Sequence, residues 1–354
     1  INADRPMTKW FDPEYTRIQK MLDSTFPATY NTFTRTSIGG DPKALVVSRS
    51  DRQPARYYLF DDAKRTLEEI LSTNDQLGPD QLVEQRPIVI PTRDGKRIPG
   101  YLFLPKTQST NQKLPLLVDV HGGPMVRADY WGYPSGIGVK EGQYFASRGY
   151  AVILPNFRLT PGFGADLFTS GLRQLGRKMS EDKEDAVAWA VNQGFADPKR
   201  VCIFGHSYGG YATLAGLIKT PDLYRCGVAS MAPSDMRLML TSGRGNIPAN
   251  KNGVEFWEAI VGDLKTEASF IDETSPAYHA DRIKSPLLLI HGEDDTQVPL
   301  EQAERMRAAL RKVGTEPEWL VVPEEGHGFG KAENRYLVYT RMLEFFDRNL
   351  GVTR

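Results

Sequence analysis

Ser207 sits in Gly205-His206-Ser207-Tyr208-Gly209, after the apolar run Val201-Cys202-Ile203-Phe204 and before a helix-like stretch at residues 212–219. A strand that ends in Gly-x-Ser-x-Gly and turns into a helix lifts the serine hydroxyl clear of the backbone. The helix aims its N–H groups and the positive end of its dipole at the site. A hydroxyl is a weak nucleophile, so it needs a histidine base and a carboxylate that orients the base. In the chain order that goes with this elbow, the acid and then the histidine follow the serine. An acidic cluster, Glu293-Asp294-Asp295, ends the buried-strand pattern Leu287-Leu288-Leu289-Ile290. Of the five histidines only His327 lies beyond it, in Gly326-His327-Gly328 after the strand-like Trp319-Leu320-Val321-Val322. The bland alternatives are an inert serine in a glycine turn and a solvated loop histidine; their joint order argues against both.

Attack on a carbonyl makes an oxyanion, which needs hydrogen-bond donors. One candidate is the backbone N–H of Tyr208. The other is an N–H of Gly122 or Gly123, in His121-Gly122-Gly123-Pro124, where the apolar run 114–120 breaks.

These residues need a scaffold that brings strand ends together. Strand-like runs at 114–120, 151–154, 201–204, 227–230, 287–290 and 319–322 alternate with helix-like runs at 141–148, 179–193, 211–219, 300–313 and 334–349. That alternation predicts a mostly parallel sheet covered on both faces. A hairpin, 87–90 with 100–104, turns at Asp94-Gly95 before it. In the helix at 179–193, Ala186, Val187, Ala190 and Val191 form a core face. Residues 1–80 read differently: a helix at 13–22, then β-like runs at 44–48, 55–60 and 66–71. We therefore expect an N-terminal segment, 1–80, and a catalytic unit, 81–354.

Composition narrows the partners. The 354 residues carry 44 acidic and 44 basic side chains, giving no electrostatic case for nucleic acid or an acidic membrane surface. No run is long enough to cross a membrane. The start, Ile1-Asn2-Ala3-Asp4-Arg5-Pro6, is polar, is not a signal peptide and lacks an initiator methionine. The reading is a soluble chain processed or cut from something longer, cytoplasmic or exported with its signal removed. Cys202 and Cys226 read as two buried free thiols, with a disulfide between them as the alternative, which leaves the compartment open. No spacing suggests a metal site and no cofactor is expected. Self-association stays open.

Four motifs in register resemble the catalytic domain of the prolyl oligopeptidase family of serine peptidases: His121-Gly122-Gly123-Pro124, Gly205 through Tyr211, His291-Gly292-x-x-Asp295-x-x-Val298-Pro299, and Gly326-His327-Gly328. The resemblance covers roughly residues 85–350. It implies an α/β-hydrolase fold and a triad of Ser207, Asp295 and His327, with Asp294 the fallback acid. It also implies cleavage of short peptides through an acyl-enzyme. His121 stands where some members carry a tyrosine oxyanion donor, so the match is to the acylaminoacyl-peptidase-like branch, with backbone donors. Leu159 and Pro161 stand where smaller residues are usual. Members carry a large N-terminal β-propeller, whereas fewer than 100 residues precede the hydrolase region here; the N-terminal strands resemble one blade. Met236, Leu238, Met239 and Leu240, with Val298, are the candidate lining of a substrate pocket. The runner-up functions are a carboxylesterase or related acyl hydrolase and a non-catalytic binding module of the same fold.

Overall fold

A computed structural model describes residues 5–38, 41–106, 113–127, 130–132, 139–241 and 251–353. Residues 1–4, part of the polar start noted above, lie outside them. The described residues form two sheets. The first is antiparallel, in the order β1-β2-β3-β4, from Tyr30–Ile38, Asp41–Ser50, Gln53–Asp61 and Thr66–Ser72. Helix α1 (Pro13–Thr25), capped by Asp12 accepting from the Glu14 and Tyr15 N–H groups, packs on it. Ile18 and Leu22 of α1 join Phe33, Val46 and Phe60 in a separate small core. The first strand, β1, escaped the sequence reading because Thr34-Arg35-Thr36-Ser37 is polar and its outer half is exposed.

The second sheet has eight strands. They are β5 (Gln85–Pro91), β6 (Arg97–Phe103), β7 (Leu114–Val120), β8 (Ala151–Pro155), β9 (Ala196–His206), β10 (Cys226–Ser230), β11 (Leu287–Gly292) and β12 (Glu318–Val322). Their order is β12-β11-β10-β9-β7-β8-β6-β5. Pairing is parallel from β12 through β8, while β6 and β5 close one edge antiparallel. The helices in chain order are α2 (Val139–Ala146), α3 (Ala165–Thr169), α4 (Lys178–Asn192), α5 (Tyr208–Lys219), α6 (Met236–Thr241), α7 (Lys251–Val261), α8 (Ala268–Glu273), α9 (Glu301–Lys312) and α10 (Ala332–Leu350). One core packs α4 and α5 on one face of the sheet; another packs α2 and α10 on the opposite face. This is the α/β-hydrolase architecture the motifs implied. Strand residues β7, β8 and β11 are buried throughout, as strands covered on both faces must be.

The expectation of two free thiols is corrected. Cys202 and Cys226 form a disulfide. They are register partners on adjacent parallel strands, β9 and β10, with Cα atoms 4.8 Å apart. Their 24-residue separation gave no hint, because parallel register is set by the crossover helix between them.

Candidate active site

Strand β9 ends at His206 and α5 begins at Tyr208, so Ser207 alone makes the turn. It does so with φ 59° and ψ −121°, a conformation an L-residue adopts only when its surroundings impose it. Its N–H is fixed by the Ser230 carbonyl at 2.9 Å. Two glycines make the turn sterically feasible. A Cβ at Gly205 would lie 2.5 Å from the Val120 carbonyl oxygen, and one at Gly209 only 1.9 Å from it. The end of β7 therefore presses directly on the elbow.

The partners arrive from the ends of β11 and β12, which lie beyond β10 from the strand that carries Ser207. His327, in the loop after β12, places Nε2 2.9 Å from Ser207 Oγ. Its Nδ1 is 2.7 Å from Asp295 Oδ2. Asp295 follows β11 and is buried. Its other oxygen, Oδ1, accepts from the Gln297 and Val298 N–H groups at 2.8 and 2.9 Å. Burial pushes this carboxyl up, but the His327 hydrogen bond and the two amides outweigh it, and its pKa falls below the ordinary value. Asp294 is exposed, and its backbone N–H bonds the Glu325 carbonyl at 2.9 Å.

Two further histidines crowd the site without joining the relay. His206 lies 4.9 Å from His327, ring to ring, and burial followed by that neighbour pushes its pKa down to about 4. It is therefore neutral at neutral pH. His291 is buried and donates from Nε2 to the Val298 carbonyl at 2.8 Å, bracing the loop that holds Asp295.

The sequence reading missed Glu325. Its carboxylate accepts from the Gly330 and Lys331 N–H groups at 2.7 and 2.9 Å and from Asn334 at 2.8 Å. It thereby pins both ends of the loop that carries His327. A glutamate two residues before a loop histidine gave no local signal of that role.

Gly122 lies against the elbow serine: a Cβ there would sit 3.4 Å from Ser207 Cβ. Gly123 has φ +121°, accessible to glycine and strained for other residues. His121 is buried, contacts the Gly122 carbonyl through Nδ1 at 2.8 Å and Thr160 Oγ1 through Nε2 at 3.1 Å, and stacks on Phe157 at 4.3 Å. The segment at 156–160 thus buttresses the Gly122 loop, and Leu159 takes a positive φ of 81° within it. The segment is anchored by Arg158, 1% exposed, which pairs with Asp182 at 2.7 Å and Asp94 at 2.9 Å.

A narrow cavity of about 50 Å³ opens beside Ser207. Gly123 and Tyr208 flank it, and Met236, Met239, Leu240 and Val298 are among the residues that line it. Leu238 is not among the lining residues. Leu175, Tyr211, Pro233, Trp257 and Val261 complete the apolar wall from other elements. Among the described residues no cluster of three or more His, Cys, Asp or Glu is arranged to hold a metal, and no helix is long and apolar enough to cross a membrane.

Known proteins resemble this chain in sequence and in fold. Dipeptidyl aminopeptidase BIII of Pseudoxanthomonas mexicana is 35% identical over 348 residues, covering 94% of this chain and 48% of that enzyme. A puromycin-hydrolyzing peptidase of Mycobacterium tuberculosis superposes with a TM-score of 0.77 at 27% identity, covering 88% of this chain and 46% of that one. The uncomplexed acylaminoacyl peptidase of Pyrococcus horikoshii does so with a TM-score of 0.72 at 26% identity, covering 87% and 48%. The chain spans about half the length of these relatives. The prolyl oligopeptidase family model matches residues 138–353, the stretch that contains Ser207, Asp295 and His327. By sequence match and by fold, the chain belongs to the prolyl oligopeptidase family of serine-type peptidases.

Proposed function

We propose that this chain is the catalytic unit of a serine peptidase that cleaves short peptides through an acyl-enzyme on Ser207. The observation that carries the reading is the unbroken contact from Ser207 Oγ through His327 to Asp295. His327 Nε2 takes the hydroxyl proton as Oγ attacks the scissile carbonyl carbon. Asp295 holds Nδ1–H, fixes the tautomer and stabilises the imidazolium. The Tyr208 N–H has no partner within its helix, being in the first turn, and together with an N–H of the Gly122–Gly123 loop it meets the oxyanion. The imidazolium gives its proton to the leaving amine. Water, deprotonated by the same imidazole, releases the acyl group and restores Ser207.

The relatives' names, two of them specifying aminopeptidase or acylaminoacyl peptidase action, support amide rather than ester substrates. The apolar cavity supports a small apolar side chain on the acyl side of the cut bond. The Cys202–Cys226 bond supports an oxidising compartment, where such bonds persist.

Substrate class is tested with peptide anilides that differ only at the residue preceding the cut. An alanine, valine or proline there should give kcat/KM at least about tenfold above a glutamate or lysine, because a charge would be buried unpaired. Ser207→Ala should remove the activity on all of them. Rapid cleavage of a simple aryl ester with no cleavage of any anilide would replace the peptidase reading by an esterase.

A further inference from the structure

Lys183, near the middle of α4, is 1% exposed, and none of the roles above uses it. Its Nζ donates to Tyr208 Oη at 3.2 Å. It also lies 4.0 Å from the centroid of the Phe157 ring and 5.3 Å from that of Tyr208. The Phe157 ring stacks on His121 and leans on Tyr208 at 5.3 Å. His121 begins the loop that carries Gly122 and Gly123, and Tyr208 begins α5. One buried ammonium therefore contacts the ring that supports one oxyanion donor and the side chain of the residue that supplies the other. Such donors work only when fixed before the charge develops, because moving them during reaction costs what their hydrogen bonds gain.

We propose that Lys183 is a positioning residue for the oxyanion site, joining the Gly122–Gly123 loop to the start of α5 through Phe157 and Tyr208. The inference rests on the acyl-enzyme reading above. Lys183 touches no reacting atom; it acts through the two aromatic side chains.

Its charge gives the role a pH signature. Burial pushes the Lys183 ammonium down to about 7. Asp182 and Glu184 on α4 favour the charged form, while Arg158 after β8 and Lys219 on α5 oppose it. The Tyr208 hydroxyl is pushed well up by burial and stays protonated, able to accept from the ammonium. The attraction to the Phe157 face requires the cation. The contribution of Lys183 is thus present below neutral pH and fades above it. A general-base imidazole imposes the opposite trend, since it works only once deprotonated.

The test is Lys183→Met, which keeps length and apolar bulk but removes charge and donor. Unfolding midpoint, kcat and KM are measured on the full chain from about pH 6 to about pH 9. At the acid end kcat should fall about tenfold with KM changed less than about twofold, and the parent-to-variant ratio should shrink toward about one at the alkaline end. Affinity for a peptide aldehyde, whose Ser207 adduct places an oxygen in the same hole, should fall in step with kcat. A folded variant with unchanged kcat and aldehyde affinity, or with the same loss at every pH, would overturn the proposal. If Lys183→Met does not fold, Tyr208→Phe decides, because it keeps ring and N–H but removes the acceptor. A kcat loss of about threefold with the same pH trend supports the role, and no change overturns it. Failure of the acyl-enzyme reading looks different: the parent itself would then show no Ser207-dependent turnover.

Discussion

Asp295→Asn is expected to lower kcat on a peptide anilide about 10⁴-fold while leaving the fold intact, whereas Asp294→Asn should change it less than about threefold. The contrast follows from the surroundings of the two side chains. Asp295 Oδ1 is claimed by two backbone N–H groups and Oδ2 by His327 Nδ1. An asparagine would keep its carbonyl oxygen toward the two N–H groups and turn its NH₂ toward His327. Nδ1 would then have to accept, the ring proton would sit on Nε2, and Nε2 could no longer take the Ser207 proton. The effect is a wrong tautomer, not a lost contact. Asp294 is exposed and bonds the loop through its backbone, which asparagine preserves. The linkage to pH has a definite sign. The folded-state pKa of Asp295 is depressed, so its stabilising contribution is present above the unfolded carboxyl value of about 4 and is lost as pH falls through the lower folded value. Urea midpoints of parent and Asp295→Asn compared across that acid range read this directly. Equal losses for the two aspartates would contradict the assignment.

Gly209→Ala should be the most damaging single methyl added to the elbow. Its Cβ would stand 1.9 Å from the Val120 carbonyl oxygen and 2.9 Å from the carbonyl carbon. Neither atom can swing away, because Val120 closes β7 and is paired with Gly205 in the central sheet. Either β7 separates from β9 or α5 backs away from the strand. We expect a loss of at least about 3 kcal/mol in urea unfolding, the upper range for overpacking, or no soluble protein at all. Should enough fold, kcat should drop about 10²-fold, since a shift of about 1 Å in the first turn of α5 moves the Tyr208 N–H and Ser207 together. Gly328→Ala is the matched stability control: its Cβ would meet nothing within 4 Å, and its urea midpoint should match the parent's. A normal midpoint for Gly209→Ala would mean that the elbow is looser than described.

What could be read from the sequence follows how local each feature is. Ser207 and His327 stood out because each lies in a short glycine-flanked turn after an apolar strand, and only one histidine followed the acids. Choosing Asp295 over Asp294 needed the family resemblance, since two adjacent carboxylates differ only in which one the turn buries. Met236, Met239 and Val298 were legible as apolar residues after a strand end, but Leu175, Tyr211 and Trp257 reach the same cavity from distant elements. The short helices α6 and α8 carried too few residues to show a period. Segment 180–185, Ser-Glu-Asp-Lys-Glu-Asp, looks like a solvated helix face, yet every one of these residues except Glu181 is buried. The reason is non-local: Arg158 reaches Asp182, Arg93 reaches Glu184 and Asp185, and the aromatic pair Phe157 and Tyr208 covers Lys183. The disulfide was hidden for the same reason, because it depends on which strands lie side by side.

Everything in the mechanism depends on Ser207 being made nucleophilic by His327. The direct measurement is labelling of the intact chain with a fluorophosphonate, followed by peptide mass mapping, in the parent and in His327→Ala. The parent should carry the label on Ser207, and His327→Ala should label at least about 10³-fold more slowly. Label on another residue, or equal rates in the two proteins, would contradict the activation of Ser207 by His327.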